Sequence, residues 1–365
     1  MKNEKDVLEM FGLTKEQAAI MYSIQELMIC KDIENSTKEE EQKKEKRKWL
    51  NKWKNSICTV LNENADAEVK VSLNRSQILN EVRNEINKEP NNKTWYYIMM
   101  LECALFTPYY PFAEQEETNQ KKKKRKLKYK RQTDFLKKIV AEHKIMDDEK
   151  IDRFVDVYTK TLNRIQKKGQ KIAINILAII TFAAVAACTA ALLAPQIAVA
   201  LVGSKFALSG AALTNAALAL IGGGAIAAGG AGIAGGVAII AGGGALLGGA
   251  MGGTGVAIKH LLCASPEYAL SQAAKLEVVL KEIILNAQKD VKTAQNILKK
   301  YKEAITDLSA ELAKKEIELN NSRNEKKDLK EEIKKMKKTI EYLKNGYKGS
   351  EKFTSSFEVG MGFLE

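Results

Sequence analysis

The sequence predicts an all-α protein in three parts: an N-terminal helical domain, a Gly/Ala-rich apolar region and a long C-terminal coiled-coil helix. Three observations lead to this prediction. Apolar residues recur at helical spacing in the first third of the chain, and no run alternates long enough for a sheet strand. Residues 206–258 contain no ionisable side chain, and eight of the nine heptad positions from Ile284 to Ile340 are apolar.

The bulk composition argues against a conventional enzyme. The 365 residues carry a net charge of +13 and include only two histidines, His143 and His260, so histidine-based metal or acid–base sites are nearly excluded. The five cysteines form no C-x-x-C pair, which argues against a zinc site or a disulfide framework and fits a reducing compartment. We identify no catalytic, cofactor-binding or metal-ligating residue, and the polar start of the chain shows no secretory signal.

Residues 1–120 are expected to form the N-terminal helical domain. Thr14 and Gln17 make a capping box ahead of apolar residues at helical spacing. Further helix starts are predicted at Ser36 and Ser76. Trp95–Phe106 is the best core helix, and the prolines that follow it would end it.

A basic linker, residues 121–133, comes next. Nine of the eleven residues from Lys121 to Arg131 are Lys or Arg. One interpretation is a solvated linker; the other is an electrostatic patch, which anionic lipid attracts by about 1 kcal/mol per basic residue. Nucleic acid is a distant alternative, because one basic run without a recognisable fold is a weak signal. The predicted lipid patch comprises Lys121, Lys122, Lys123, Lys124, Arg125 and Lys126.

Residues 134–170 are predicted to form a helical pair. Two runs each place apolar residues on one face, and Asp147 or Asp148 is a natural N-cap for the second helix. The pair, around residues 134–166, resembles the last helices of TerB-like helical modules, which are associated with stress and defence proteins at bacterial membranes. Such modules are reported to bind metal through acidic residues. Here the acidic cluster is interpreted as a helix start, and no metal ligand is assigned.

Residues 171–262 form the Gly/Ala-rich hydrophobic region, which we expect to insert into a membrane as a helical hairpin region. Ile172–Leu193 has the roughly 20 mostly apolar residues that a bilayer crossing needs. Basic residues upstream would hold its N-terminal end in the cytosol, and Pro195 suits the start of a second helix. The glycine triplets at 222–224 and 242–244 are candidate breaks, so the region divides into two to four helices.

A row of small residues marks the second half of this region. At every fourth position from Gly224, seven of eight residues are Gly or Ala. On a helix such a row forms a smooth stripe that lets another helix approach backbone to backbone, as small-xxx-small motifs do in lipid. The alternative is a low-complexity tract with incidental spacing. The predicted packing residues are Gly224, Ala228, Gly232, Gly236, Gly244, Gly248 and Gly252.

The stripe resembles the insertion segments of α-helical pore formers and other glycine-zipper membrane proteins. This resemblance implies a protein that assembles within a bilayer. Two strings that look like nucleotide motifs are not sites. Gly230–Gly235 matches G-x-G-x-x-G but lacks the acidic residue about 20 positions on that a dinucleotide fold needs, and Val202–Lys205 lacks the second glycine and the Ser/Thr of a phosphate loop.

Residues 265–345 are predicted to form one coiled-coil helix. Ser265 and Pro266 suit its start, and no Pro or Gly intervenes before Gly346, which allows a rod of roughly 100 Å. It would pack either on helices of its own chain or on a partner helix. The predicted seam comprises Val291, Leu298, Ile305, Leu312 and Leu319.

The predicted rod has a weak point in its apolar rows and is followed by a tail. Polar residues interrupt its apolar rows at Lys315, Ser322 and Lys326, where a hinge or fold-back is expected. Residues 346–365 contain glycine and Ser/Thr, and we expect them to form a flexible tail.

Together these patterns favour a membrane-inserting, self-associating helical protein, a pore-forming or membrane-disrupting effector of the toxin or bacterial-immunity type. Its expected partners are a bilayer containing anionic lipid and further copies of the chain. Insertion is expected from the cytoplasmic side, either constitutively or after a trigger. The alternatives are a constitutive membrane-anchored scaffold whose coiled coil binds a partner helix, and a soluble oligomer that buries the apolar region.

Overall fold

A computed structural model of the protein describes residues 7, 9–62, 70–109, 127–166, 239–247, 262–263, 266–321 and 327–362. Most residues in these ranges are helical, which confirms the all-α prediction. A two-residue antiparallel ladder pairs β1 (Gly12–Leu13) with β2 (Ile239–Ile240). The α-helices of the described residues are α1 (Lys15–Lys31), α2 (Glu40–Asn62), α3 (Arg75–Lys88), α4 (Thr94–Leu105), α5 (Thr133–His143), α6 (Lys150–Ile165), α7 (Pro266–Val278), α8 (Val291–Asn321) and α9 (Lys327–Gly362).

Polar side chains cap the N-terminal ends of α1 and α3. The predicted capping box of α1 is present: the backbone N–H of Gln17 donates to Thr14 Oγ1, and that of Thr14 donates to Gln17 Oε1, both at 3.2 Å. An equivalent box at Asn74 and Gln77 begins α3. The start predicted at Ser76 was therefore two residues late, because Asn74 supplies the side-chain acceptor for the first free N–H groups.

The predicted bounds of α4 are confirmed, whereas the predicted start of α6 is not. α4 matches the predicted core helix to within one residue, and nearly all of its side chains are buried. α6 begins after Glu149 without a side-chain cap, so the cap predicted at Asp147 or Asp148 was wrong. Backbone turns serve instead, such as the one in which Ile151 N donates to Asp148 O at 3.1 Å.

One hydrophobic core joins the N-terminal and C-terminal helices. α4 packs against α1 and α6, and α7 packs against α6 and α9. The described parts of the three helical segments that the sequence separates (residues 1–120, 134–170 and 265–345) therefore share one core. We call the assembly of α1 to α9 the helical frame.

The predicted single rod over residues 265–345 was wrong. α7 continues into a π-helical segment, Val279–Leu285, in which backbone N–H groups bond five residues back, as Asn286 N does to Lys281 O at 2.9 Å. The wider turn ends the regular helix, and α8 starts only at Val291 after a non-helical break.

α8 and α9 form an antiparallel hairpin, which confirms the predicted fold-back. Lys315 of α8 pairs with Glu332 of α9 at 2.8 Å. Farther along, Tyr301 Oη donates to Leu343 O at 3.0 Å. Of the residues at the predicted weak point, Ser322 and Lys326 lie outside the described residues. The fold-back lets the apolar row of α8 bury itself against the same chain.

The tail predicted to be flexible from residue 346 is helical, since α9 continues to Gly362. Gly346 and Gly349 do not end the helix because they lie where α9 meets other side chains. A Cβ at Gly346 would lie 2.7 Å from Tyr301 Oη, and one at Gly349 would overlap the Arg164 guanidinium. Two phenylalanines in this stretch also pack against the core. Tertiary packing therefore stabilises a stretch whose composition is unfavourable for a helix.

None of the helices in the described ranges combines the length and the apolar composition that a bilayer crossing requires. The predicted spanning helices fall between residues 171 and 238, which lie outside the described residues.

Candidate functional site

The described residues that flank or interrupt the apolar region form three anchors on the helical frame. The upstream anchor holds the end of α6, the central anchor holds residues 239–247, and the downstream anchor holds residues 262–263. Between the anchors lie residues 167–238 and 248–261. We treat the three anchors as the candidate functional site.

The upstream anchor is centred on Glu277 of α7, whose side chain is only 1% exposed. Its carboxylate accepts hydrogen bonds from Arg164, from Thr161 Oγ1 at 3.1 Å and from Lys281 Nζ at 2.6 Å. Three donors around one buried carboxylate compensate for its lost hydration. The last turn of α6 is thereby fixed directly before the apolar region.

The same turn is also tied to α9 through Asn345. Arg164 Nη1 donates to the backbone oxygen of Asn345 at 2.9 Å, and Asn345 Nδ2 donates to Ile165 O at 3.4 Å. The last carbonyls of a helix have no partner within it, so Asn345 satisfies one that would otherwise need water. The absence of a side chain at Gly349 leaves room for the Arg164 guanidinium.

The downstream anchor lies one to two turns away on the same helix. Thr339 is fully buried on α9 and donates its hydroxyl to Leu262 O at 2.8 Å. Thr339 and Asn345 are six residues apart, which corresponds to about 9 Å along the helix axis. Both ends of the chain between Ile165 and Leu262 are therefore held at neighbouring points on α9.

The central anchor is a buried ion pair that binds a backbone turn. Glu102 of α4 and Lys275 of α7 have side chains 3% and 0% exposed, with Oε2 and Nζ 2.6 Å apart. The other carboxylate oxygen of Glu102 accepts the backbone N–H of Gly242 at 2.8 Å. One carboxylate thus joins the turn after β2 to two core helices.

Two glycines allow this turn to lie against α7. Gly242 and Gly243 have φ values of +61° and +87°, the left-handed region that L side chains rarely adopt. A Cβ at Gly243 would lie 2.5 Å from both Gln272 O and Leu276 N. Glycine thus allows close backbone contact here, but the element in contact is α7, a helix of the frame.

The predicted glycine stripe is not one continuous helix. Gly244 belongs to the 3₁₀ turn Gly244–Leu246, and Ile240 belongs to β2. Extended and left-handed residues between them interrupt the i+4 row, because that row exists only on regular helix. The break predicted at 242–244 is confirmed. The other predicted stripe residues lie outside the described ones: Gly224, Ala228, Gly232, Gly236, Gly248 and Gly252.

The predicted heptad seam lies in the α8–α9 hairpin. Leu298 and Ile305 are buried. The other three seam residues are half-buried: Val291, Leu312 and Leu319. The structure therefore gives the seam a partner within the same chain.

Asp32, which is fully buried, binds described residues on both sides of the predicted lipid patch. Tyr109 Oη donates to Asp32 Oδ2 at 2.7 Å, and the backbone N–H of Lys130 donates to Oδ1 at 2.9 Å. Lys46 Nζ neutralises the carboxylate at 2.5 Å. The chain between residues 110 and 126 therefore starts and ends at one place on the frame. The predicted lipid patch falls within it, outside the described residues: Lys121, Lys122, Lys123, Lys124, Arg125 and Lys126.

Burial decides the protonation state of several groups in the frame. It raises the pKa of Tyr158, and nearby Glu102 adds to the effect, so this phenol stays neutral and donates to Ser271 Oγ at 3.2 Å. It lowers the pKa of His143 from 6.5 to about 4. His143 Nδ1 lies 2.8 Å from Tyr96 Oη, so a neutral imidazole is hydrogen-bonded between α4 and α5.

The arrangement holds chain segments in place. Within the described ranges, no three His, Cys, Asp or Glu side chains lie close enough together to bind a metal ion. Burial also raises the pKa of the Cys103 thiol, which disfavours the nucleophilic thiolate. The three anchors are held by ion pairs, by hydrogen bonds to backbone groups and by the hydrogen bond from Thr161 to Glu277.

Sequence reasoning missed the anchor residues. One signal was visible for Glu102, the only charged residue in the otherwise apolar segment Trp95–Phe106. A charge at such a place requires a buried partner. Nothing local distinguishes Lys275 or Glu277 from the other charged residues of the C-terminal third.

Comparisons with protein-family models, with curated proteins and with solved structures gave no match for this chain.

Proposed function

We propose that the protein is a membrane-inserting, self-associating helical protein, of the pore-forming or membrane-disrupting kind. In this proposal the helical frame stays outside the bilayer and holds the apolar region at the three anchors. The observation that carries the proposal is the position of the ends of that region. Ile165, six residues before the region, and Leu262, its last residue, are hydrogen-bonded to Asn345 and Thr339, which lie about 9 Å apart on α9.

The anchors favour a helical hairpin as the inserted element. A segment whose two ends are held on the same side of a bilayer crosses it an even number of times. The 72 residues from 167 to 238 suffice for at most three crossings at about 20 residues each. Two crossings are therefore expected. The 14 residues from 248 to 261 are too few for one.

The sequence supports the same pairing of helices. Ile172–Leu193 would form the first crossing, and Pro195 would begin the second. Glycines between 203 and 236 would let hairpins of several copies pack closely, which is the basis for proposing self-association.

The scaffold alternative is weaker because it needs a free coiled-coil seam. Leu298, Ile305 and Tyr301 of α8 are buried in the hairpin with α9. A partner helix would have to displace α9, which also carries the upstream and downstream anchors.

A leakage assay on anionic liposomes tests the proposal. The double variant Thr339→Val and Asn345→Ala removes the side-chain hydrogen bonds at both ends of the apolar region. Each such bond contributes about 0.5–1.5 kcal/mol, so the attachment of the two ends should weaken by about 1–3 kcal/mol in total, or roughly 5- to 150-fold. We expect slower dye release than from the wild-type protein, because the frame no longer holds both ends of the inserted segment on its own side of the bilayer.

The matched control is Thr306→Val with Asn296→Ala, which removes the same functional groups from α8. Thr306 is exposed and bonds only within its helix, to Lys302 O at 3.0 Å. This variant should leak at the wild-type rate. Protein that binds anionic vesicles but never releases dye, with anchors intact or loosened, rules out the pore-forming proposal.

A further inference from the structure

A groove runs along the hairpin between α8 and α9, with a volume of about 350 Å³. Leu312 and Ile340 provide its apolar lining, and Ile340 belongs to the core. This volume is at the lower end of the range of small-molecule sites.

Basic side chains surround this apolar surface. Lys337, Lys344 and Lys348 line the groove with one acidic residue, Glu341. Their spacing of seven and four residues places the three lysines on one face of α9. Lys337 is paired with Glu316 across the hairpin at 2.7 Å. Lys344 and Lys348 are exposed, and neither has an ion-pair partner among the described residues.

The groove lies beside the upstream anchor. Asn345 lines it, and the same residue donates to Ile165 O at the end of α6. The first predicted crossing begins seven residues later, at Ile172. A ligand in this groove would therefore sit where the apolar segment leaves the frame.

We infer that this groove binds the headgroup of an anionic phospholipid. The phosphate would lie between Lys344 and Lys348, and the start of the acyl chains would lie against Leu312 and Ile340. Lysines near a membrane surface attract anionic lipid, and the apolar lining distinguishes a lipid from a bare anion. The inference rests on the proposed membrane function, and it assigns a lipid site separate from the basic linker.

Titration with water-soluble short-chain phosphatidylglycerol tests the inference without requiring insertion. The full-length protein is titrated below the micelle concentration, and binding is followed by calorimetry. Short-chain phosphatidylcholine and inorganic phosphate are titrated in parallel. We expect phosphatidylglycerol to bind at least tenfold more tightly than either. The variant Lys344→Glu with Lys348→Glu should weaken it by about tenfold or more, because both lysines that would contact the phosphate are replaced by acidic residues.

A variant with the same charge change, Lys299→Glu with Lys335→Glu, is the control. Both lysines are exposed, and both lie away from the groove, on α8 and on the opposite face of α9. It should bind phosphatidylglycerol as the wild type does, and Glu341→Gln should bind more tightly. Thermal unfolding monitored by circular dichroism confirms that each variant is folded.

Three results would overturn the assignment: no binding of phosphatidylglycerol, equal binding of inorganic phosphate, or equal weakening by the control variant. The absence of phosphatidylglycerol binding would overturn the assignment even if the wild-type protein leaks vesicles, because leakage would then proceed without this site. Conversely, specific binding to a protein that never leaks supports the groove and contradicts the pore-forming proposal alone.

Discussion

Buried carboxylates connect the distant parts of this chain. Asp32 binds the chain on both sides of residues 110–126, Glu102 binds the turn after β2, and Glu277 binds the end of α6. Each accepts hydrogen bonds from a basic side chain and from at least one further donor. A buried pair of this kind adds little net stability compared with apolar packing, but it strongly penalises any arrangement in which one partner is lost. These residues therefore specify where each segment lies.

Removing the basic partner of Glu102 should be costly. The variant Lys275→Met leaves a buried carboxylate without its cation, and we expect the free energy of unfolding to fall by about 3–5 kcal/mol. The double variant Glu102→Gln with Lys275→Met removes both charges and keeps an oxygen for the Gly242 N–H. It should recover most of the loss in urea unfolding. Equal stability of Lys275→Met and the wild type would contradict a buried, paired Glu102.

The protonation of His143 should make stability depend on pH. Its pKa is lowered by burial from 6.5 in the unfolded chain to about 4. Above pH 6.5 both states are neutral and the stability is complete. As pH falls towards 4 the unfolded state takes up a proton first, so the free energy of unfolding decreases. Because the ring is partly exposed, solvent screens part of this effect, and we expect the free energy of unfolding to fall by only roughly 1–2 kcal/mol.

The comparison of wild type with His143→Gln isolates this effect from carboxylates that titrate in the same range. Glutamine keeps a polar group beside Tyr96 Oη but does not titrate. The difference in free energy of unfolding between the two proteins should shrink as the pH is lowered from 7 to 4. Parallel stability profiles would show that His143 is not buried in its neutral form.

At the scale of elements, the sequence predicted best the features whose determinants are local. The capping box at Thr14 and the core helix α4 were predictable because their determinants lie within a few residues of each other. The helix through Gly346 and Gly349 was not, since those glycines are tolerated only because Tyr301 and Arg164 pack against them. Long-range contacts of this kind leave no local signal in the sequence.

The fold-back of α8 on α9 and the turn after β2 both show that residue spacing does not identify a packing partner. Heptad spacing predicted a seam on α8 of which Leu298 and Ile305 are buried, but the spacing is equally compatible with a partner in the same chain or in another. Fourth-position spacing of Gly and Ala predicted a smooth stripe on a helix, whereas Ile240 and Gly244 of that row lie in β2 and in a 3₁₀ turn, and the neighbouring Gly243 contacts α7. A spacing pattern identifies small or apolar surfaces but does not identify the element that covers them.

The turn after β2 gives an element-scale prediction with a matched control. Gly243→Ala places a methyl group 2.5 Å from two backbone atoms of α7 at a φ of +87°. We expect a loss of about 1–3 kcal/mol in the free energy of unfolding. Gly360→Ala lies in helix with nothing within 4 Å of the added Cβ, so it should be neutral or stabilising by up to about 1 kcal/mol.

Hydrogen exchange locates the effect of Gly243→Ala. The amide of Ala241, which donates to Phe11 O at 2.9 Å, should exchange faster in this variant than in the wild type or in Gly360→Ala. Unchanged protection of that amide, together with unchanged stability, would contradict the close contact between the turn and α7.

At the scale of the whole molecule, the frame has one core but leaves three stretches of sequence between fixed points. Residues 110–126 lie between Tyr109 and Lys130, both bound to Asp32, while residues 167–238 and 248–261 lie between the three anchors. The first stretch carries six basic and three acidic side chains, and the charged residues of the second are Lys167, Lys168, Lys171 and Lys205. A rigid body that holds a basic segment and an apolar segment at fixed ends suits a protein that meets an anionic surface before inserting into it.

The position of the anchors predicts the membrane topology directly. In a cysteine-free background, single cysteines at positions 166, 196 and 267 report three points along the apolar region and its flanks. Gln166→Cys lies at the upstream anchor, and Glu267→Cys lies five residues after Leu262, where the side chain is partly exposed. Both should react with a membrane-impermeant maleimide added on the side of the frame. Gln196→Cys lies next to Pro195, between the two predicted crossings, and should react only from the opposite side. Labelling of positions 166 and 267 from opposite sides would mean an odd number of crossings, which the shared attachment of both ends to α9 does not allow while the frame is intact.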